Sequence, residues 1–295
     1  FVGADPATVA RLIAEVRAGG DAAIADLTQR FDGVTVDAPR VSKDKLKAAW
    51  NGLAQPDRAA LEVAAQHIRQ FAEAQRAQVQ PLEIQGSPGR VLGHSVLPIA
   101  AAACYVPGGR YPLPSTVLMT AIPARVAGVK RVVVVTPPGA NGLPSPWILA
   151  AAWIAEVDEL WAIGGVQAIA AVAYGTATVQ AVDLIVGPGN AWVTEAKRQV
   201  FGQVGIDALA GPSEVVIVAD ATADPRRVAA DMLAQAEHDP DAEAIALTTD
   251  PATAAAIRVA VEVQLNALPT ADVARQSIEG RGAVVVLPTL DAIVD

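Results

Sequence analysis

From Cys104 onward, short runs of apolar, mostly β-branched residues alternate with helix-length segments, beginning with Lys130–Val135, Glu159–Ile163 and Asp183–Val186. Runs that are apolar throughout, and not at every second position, are what strands buried on both faces of a parallel sheet require. This rhythm specifies an α/β protein. It continues in Glu214–Ala219, Ala244–Leu247 and Ala283–Val286, with helices expected over Pro225–His238 and Thr253–Leu268. Ahead of Cys104 the pattern is helical. Asp5 is placed to cap a helix that Pro6 starts, and Val9, Leu12, Ile13 and Val16 follow at helical spacing before Gly19-Gly20. A second amphipathic helix is expected over Gln55–Gln80, where Leu61, Val63, Ile68 and Phe71 alternate with charged residues. No repeat of fixed period occurs. No linker marks a boundary inside Cys104–Ser213, so a second unit there is expected to be inserted into, or packed tightly against, the first.

The 295 residues make a prior of roughly two domains. With 52% hydrophobic and 18% charged residues, the chain is neither disordered nor a coiled coil. A net charge of −9 with no basic run argues against nucleic acid and anionic membranes as partners. Leu160–Val182 carries no formal charge, but Gly164, Gly165, Gln167, Gly175 and Thr176 interrupt it. A strand, a glycine turn and a buried helix are expected there, not a membrane span. The single cysteine, Cys104, excludes an internal disulfide framework and a Cys-rich zinc module, and fits a reducing, cytoplasmic setting. The chain opens at Phe1, and a helix expected after Pro288–Asp291 has barely begun at Asp295, so both ends read as cut.

Three strands run through glycine into a helix: Tyr105-Val-Pro-Gly108-Gly109, Ile163-Gly164-Gly165-Val-Gln167 and Val186-Gly187-Pro-Gly189-Asn190. At one edge of an open parallel sheet, such turns let backbone and helix N-termini approach an anionic or nucleotide ligand. The plainer reading is that each glycine only makes a tight turn. No G-x-G-x-x-G or G-x-x-x-x-G-K-[ST] fingerprint is present, so a dinucleotide would be held unconventionally.

A second group is Asp231, Gln235 and His238, expected at i, i+4 and i+7 on one helix face, with Glu237 pointing elsewhere. An imidazole and an amide oxygen near a helix C-terminus suit a divalent cation, although a histidine there commonly just bonds free carbonyls. Ser213, after Gly211-Pro212, stands at a strand start with its hydroxyl free for a ligand or for the local backbone. No G-x-S-x-G elbow surrounds it. His67 is expected to be solvated and His94 to lie in a loop or at a strand edge. Cys104, in an apolar run with no neighbouring base, reads as a structural thiol and not as a nucleophile.

Together these segments resemble a known family. Ile206-Asp-x-x-Ala-Gly-Pro-Ser-Glu214, the apolar strand after it, and Ala229-Ala-Asp-Met-Leu-Ala-Gln-Ala-Glu-His238 are similar to the signature of the histidinol dehydrogenases. Tyr105-Val-Pro-Gly-Gly, Pro114-Ser-Thr-Val-Leu-Met119, Gly164-Gly-Val-Gln-Ala-Ile169, Gly187-Pro-Gly-Asn190 and Val193–Val200 extend the resemblance over about Gly3 to Asp295. It implies two incomplete Rossmann-like α/β/α domains preceded by N-terminal helices. One would be discontinuous, residues 1–103 and 214–295, with part of a metal and substrate site; the other, 104–213, would bind NAD.

The implied activity is a zinc-dependent, NAD-linked, two-step oxidation of L-histidinol through L-histidinaldehyde to L-histidine, by a cytoplasmic homodimer. The alternatives are a related dehydrogenase of another small polar alcohol and a non-catalytic NAD-binding homologue. By motif, Gln235 and His238 match zinc ligands that also face the substrate, Ser213 matches a substrate contact, and Tyr105, Gln167 and Asn190 match NAD contacts. The family's Glu-His acid/base pair, its remaining Asp and His ligands and its C-terminal segment follow the region where this sequence stops. No catalytic acid or base is therefore expected within 1–295, and turnover by this chain alone is not expected.

Overall fold

The computed structural model describes residues 4–36, 38–108, 112–209 and 213–294, and divides the chain into two compact units, Phe1–Leu209 and Ala210–Asp295. The first unit begins with α1 (Pro6–Asp32), β1 (Arg40–Val41), α2 (Lys43–Gly52), α3 (Gln55–Gln78), β2 (Leu82–Gln85) and β3 (Val91–His94). It continues with β4 (Ala101–Tyr105), α4 (Pro114–Val126), β5 (Arg131–Thr136), α5 (Pro146–Ile154) and β6 (Glu159–Ala162). It closes with α6 (Gly165–Tyr174), β7 (Leu184–Val186), α7 (Ala191–Val200) and β8 (Gly205–Ile206). One six-stranded sheet, in the order β1-β6-β5-β4-β7-β8, is parallel except for β1.

Side chains alternate across this sheet. Ala101, Ala103 and Tyr105 of β4 pack with α1, α6 and α7, while Ala102 and Cys104 pack with α2, α3, α4 and α5. Both faces are covered, which is why the strands are apolar at every position. At the other end of the strands, the Asp183 carboxylate accepts the Ala101 N–H at 2.8 Å and the Asp158 carboxylate accepts the Val132 N–H at 2.8 Å. These bonds complete the sheet edge where the ladder stops.

Within the first unit, residues on both sides of position 103 share one sheet: β4, which crosses that position, lies in the middle of it, and α1 packs on α6 and α7, α2 on α5, and α3 on α4. The N-terminal helices are thus the outer layers of the sheet that Cys104 belongs to. Within α1 the first helical segment breaks at Gly20 (φ 57°, ψ −134°), where its end was expected, and a second segment continues to Asp32 with Ala23, Ile24 and Leu27 resuming the buried stripe. Gly20 takes that conformation without the strain a side chain would bring.

The second unit comprises β9 (Glu214–Ala219), α8 (Pro225–Ala236), β10 (Glu243–Thr248), α9 (Pro251–Leu265), α10 (Ala271–Arg281), β11 (Ala283–Val286) and α11 (Asp291–Val294). Its parallel sheet has the order β11-β10-β9. Successive crossovers in one direction put their helices on one face. Val215, Ile217, Ala244, Ala246 and Val284 accordingly pack with α8, α9 and α10, whereas Val216, Val218 and Val285 of the opposite face are exposed.

Candidate cofactor crevice and metal donors

In the first unit the chain moves from β4 to β5 to β6 in one direction and then returns to place β7 on the other side of β4. The crevice outside the C-terminal ends of β4 and β7 is therefore a topological switch point, the place where open α/β sheets take their ligands. The expected glycine turns all leave this edge. Gly109 lies outside the described residues.

Tyr105 ties the turns together. It is 3% exposed, and its hydroxyl accepts the Gly165 N–H at 3.1 Å, joining the exit of β4 to the start of α6. Its carbonyl oxygen presses on the exit of β7, where a Cβ on Gly187 would stand 2.2 Å away. Gly187 also has φ +112°, so both sterics and backbone conformation demand glycine there. Burial pushes the Tyr105 phenol up to about 12, with the Asp32 carboxylate adding to the shift and the Gly165 bond opposing it. Tyr105 thus holds the crevice with a neutral, committed hydroxyl.

Gln167 lies in the first turn of α6 and is 1% exposed, its Oε1 folded back to 2.9 Å from where a Gly165 Cβ would be. Asn190 is exposed and caps α7, its Oδ1 accepting the Val193 N–H at 3.1 Å. Each of the three residues proposed for the cofactor stands at one of the three turns. A cleft of about 380 Å³ opens beside the first turn, between Gly108 and Pro137 on one side and the Ser145-capped start of α5 on the other. The Thr136 hydroxyl in its lining is buried and has no hydrogen-bond partner.

In the second unit, Gln235 Nε2 donates to the Ser213 carbonyl at 3.2 Å, and the Glu243 N–H donates to the same oxygen at 3.1 Å. The structure therefore brings Ser213 and Gln235 together; Gly211-Pro212 lies outside the described residues. Helix α8 ends at Ala236, two residues short of expectation. The Glu237 N–H bonds the carbonyls of Leu233 and Gln235, and the His238 N–H closes a tight turn onto Gln235 O at 3.2 Å. Pro240 disfavours helix at the residue before it. His238 is accordingly exposed in the turn beyond α8, not on the face of its last turn. Glu237 does point elsewhere, accepting the Thr270 hydroxyl at 2.7 Å.

Among the described residues, no group of three or more His, Cys, Asp or Glu side chains gathers to hold a metal ion. An amide oxygen and an imidazole are two donors of the borderline kind that zinc accepts, out of the four it ordinarily takes. The donor set fits a part of a zinc shell.

The remaining candidates fall where the sequence put them. Cys104 is fully buried on β4, and desolvation pushes its thiol up to about 12 against a hydrogen bond from Thr120. His67 is exposed on α3; His94 pairs with Leu82 at the end of β3, its Nε2 3.3 Å from the Gln80 carbonyl oxygen. Leu160–Val182 forms β6 and the buried α6, and no helix among the described residues is long and apolar enough to cross a membrane.

The family model of histidinol dehydrogenase matches residues 4–295. The chain belongs to the histidinol dehydrogenase family. Among curated relatives, a histidinol dehydrogenase of Parasynechococcus marenigrum is 48% identical over 95% of this chain and 64% of its own length. A histidinol dehydrogenase homolog of Shouchella clausii is 44% identical over 98% and 68%. The crystal structure of histidinol dehydrogenase from Elizabethkingia anophelis, 36% identical, superposes with a TM-score of 0.93 over 100% of this chain and 68% of that one. The α/β fold with its parallel sheets is thus the fold of the histidinol dehydrogenases, and the chain spans about two thirds of the length of the relatives it matches.

One pair at the crevice had no role assigned from sequence. Lys197 and Asp207 form an ion pair behind the third turn. The signal was there: Lys197 shares the buried stripe of α7 with Val193, Ala196 and Val200, an unusual place for an ammonium group.

Proposed function

We propose that this chain carries the NAD-binding crevice and part of the zinc and substrate site of an enzyme that oxidises L-histidinol through L-histidinaldehyde to L-histidine. The observation that carries this reading is the switch-point crevice, with Tyr105, Gln167 and Asn190 each at one of its three glycine turns in a chain of this family. When bound, NAD supplies the hydride acceptor for each of two oxidations, and zinc supplies an electrophilic anchor for the substrate's imidazole and amine.

The chain's own residues do the holding. Gly187 and Gly189 let backbone approach a dinucleotide diphosphate, and the N-terminus of α7 offers that anion its free N–H groups and positive dipole end. Asn190 fixes the first turn of that helix. Gln235 and His238 present amide and imidazole donors to the metal, and Ser213, held beside Gln235, contacts the substrate. Fixing the carbinol carbon against the nicotinamide is the main contribution of such a site. Cys104, sealed and protonated, forms no acyl intermediate. The general base is not among these residues on this reading. The single cysteine, which allows no internal disulfide, supports a cytoplasmic setting, and the homodimer rests on the family resemblance.

The test is histidinol-dependent NADH formation by the protein extended to the length of its relatives, with zinc measured on the same sample. Two NADH per histidinol are expected. Turnover of a different alcohol, or NAD binding without turnover, would replace this reading with one of its alternatives.

A further inference from the structure

The third glycine turn is built around an ion pair that takes no part in any ligand contact proposed above. Gly187 lies beyond the last rung that β7 shares with its neighbours β4 and β8. Its peptide groups therefore need partners from outside the ladder. Two side chains supply them. The Asp207 carboxylate accepts the Gly187 N–H at 2.8 Å, and the Lys197 ammonium donates to the Gly187 carbonyl at 2.9 Å. Lys197 and Asp207 also bond each other, closing a ring around one residue.

Each member is anchored in its own element. Lys197, 3% exposed, comes from the buried stripe of α7; Asp207 follows β8, its backbone N–H bonded to Ile185 O at 3.2 Å and its carboxylate to the Ala208 N–H at 2.7 Å. Burying an ammonium carries a desolvation cost that an apolar side chain of the same volume avoids. An apolar pair, however, would satisfy neither polar group of Gly187. The ring fixes the direction of the peptide that leads into Pro188, Gly189 and the Asn190 cap.

We propose that Lys197 and Asp207 are positioning residues for the dinucleotide: they hold the Gly187 turn, and through it the N-terminus of α7, in the one orientation that accepts the diphosphate. This rests on the cofactor reading above. Lys197 is too buried to touch the ligand, so it acts through the backbone.

The experiment measures NADH affinity by fluorescence, and thermal stability, on the 295-residue chain and on Lys197→Met, Asp207→Ala and Asp207→Asn. Asn keeps an acceptor for the Gly187 N–H on a side chain already one third exposed, so it is the variant best placed to stay folded. Lys197→Met and Asp207→Ala are expected to weaken NADH about tenfold in folded protein, the effect of losing one positioning bond, and Asp207→Asn no more than about threefold. Lowered melting temperatures with unchanged NADH affinity would show a merely structural pair and overturn the proposal. A wild-type chain that binds no NADH would overturn the cofactor reading, and the positioning role with it; normal wild-type binding with unaffected variants overturns the positioning role alone.

Discussion

Cys104 and Tyr105 are adjacent on one strand, point to opposite faces of the sheet, and are both buried. Their acid groups are raised to about 12, from ordinary values of 9.0 and 10.0, chiefly because burial disfavours the charged form. In the unfolded chain both ionise earlier. Their contribution to stability is therefore complete below about pH 9 and is lost as pH rises toward 12. The melting temperature should fall as pH rises from about 9 toward 12, and less steeply in Cys104→Ala. A Cys104→Ala curve as steep as that of the wild type would remove the thiol from this account. The same burial predicts that a disulfide reagent titrates almost no thiol in native protein and one per chain in guanidinium. Gly187→Ala meets both a clash and a forbidden φ, and is expected to cost more than about 3 kcal/mol in a thermal or urea melt.

At the scale of elements, the turn into α7 separates stability from binding. Asn190→Ala removes the cap and should cost about 1 kcal/mol. Asn190→Asp keeps the acceptor and adds a charge that the helix N-terminus favours, so its melting temperature should match or exceed the wild type. NADH affinity should nonetheless fall about tenfold or more, because a carboxylate there repels a diphosphate. Equal affinity would place the diphosphate at another turn.

The strands were read from sequence to within one residue at β5, β6 and β7, since strands buried on both faces leave continuous apolar runs. Helix ends were read less well. Helix α8 was misjudged at its C-terminus, because its last turn tightened before Pro240, whereas the break expected at Gly19-Gly20 is present as the non-helical Gly20 inside α1. Asp231, Gln235 and His238 lost their common face with those two residues of helix. Ser213 and Gln235, 22 positions apart, meet through a backbone carbonyl that no pattern of side chains announces.

For the whole molecule, two separate cores imply that unfolding need not be read the same way by every probe. All five tryptophans, Trp50, Trp147, Trp153, Trp161 and Trp192, lie in the first unit, and 213–294 contains no aromatic residue. The second unit has the smaller core and leaves one apolar sheet face exposed. Circular dichroism in urea should therefore begin to change before tryptophan fluorescence does. Coincident transitions would mean that the two units unfold as one.

The order of elements, the sealed thiol, the three glycine turns and the residues standing at them were determined by the sequence alone, because local propensity and apolar periodicity act over a few residues. Which strands are neighbours was decided only by tertiary structure. That neighbourhood put β4 in the centre of the large sheet, assigned the N-terminal helices to it, and closed the Lys197–Asp207 ring around Gly187. The physical reason is that hydrogen-bond partners of a strand end, and the burial of a charge beside it, are properties of elements brought together from distant parts of the chain.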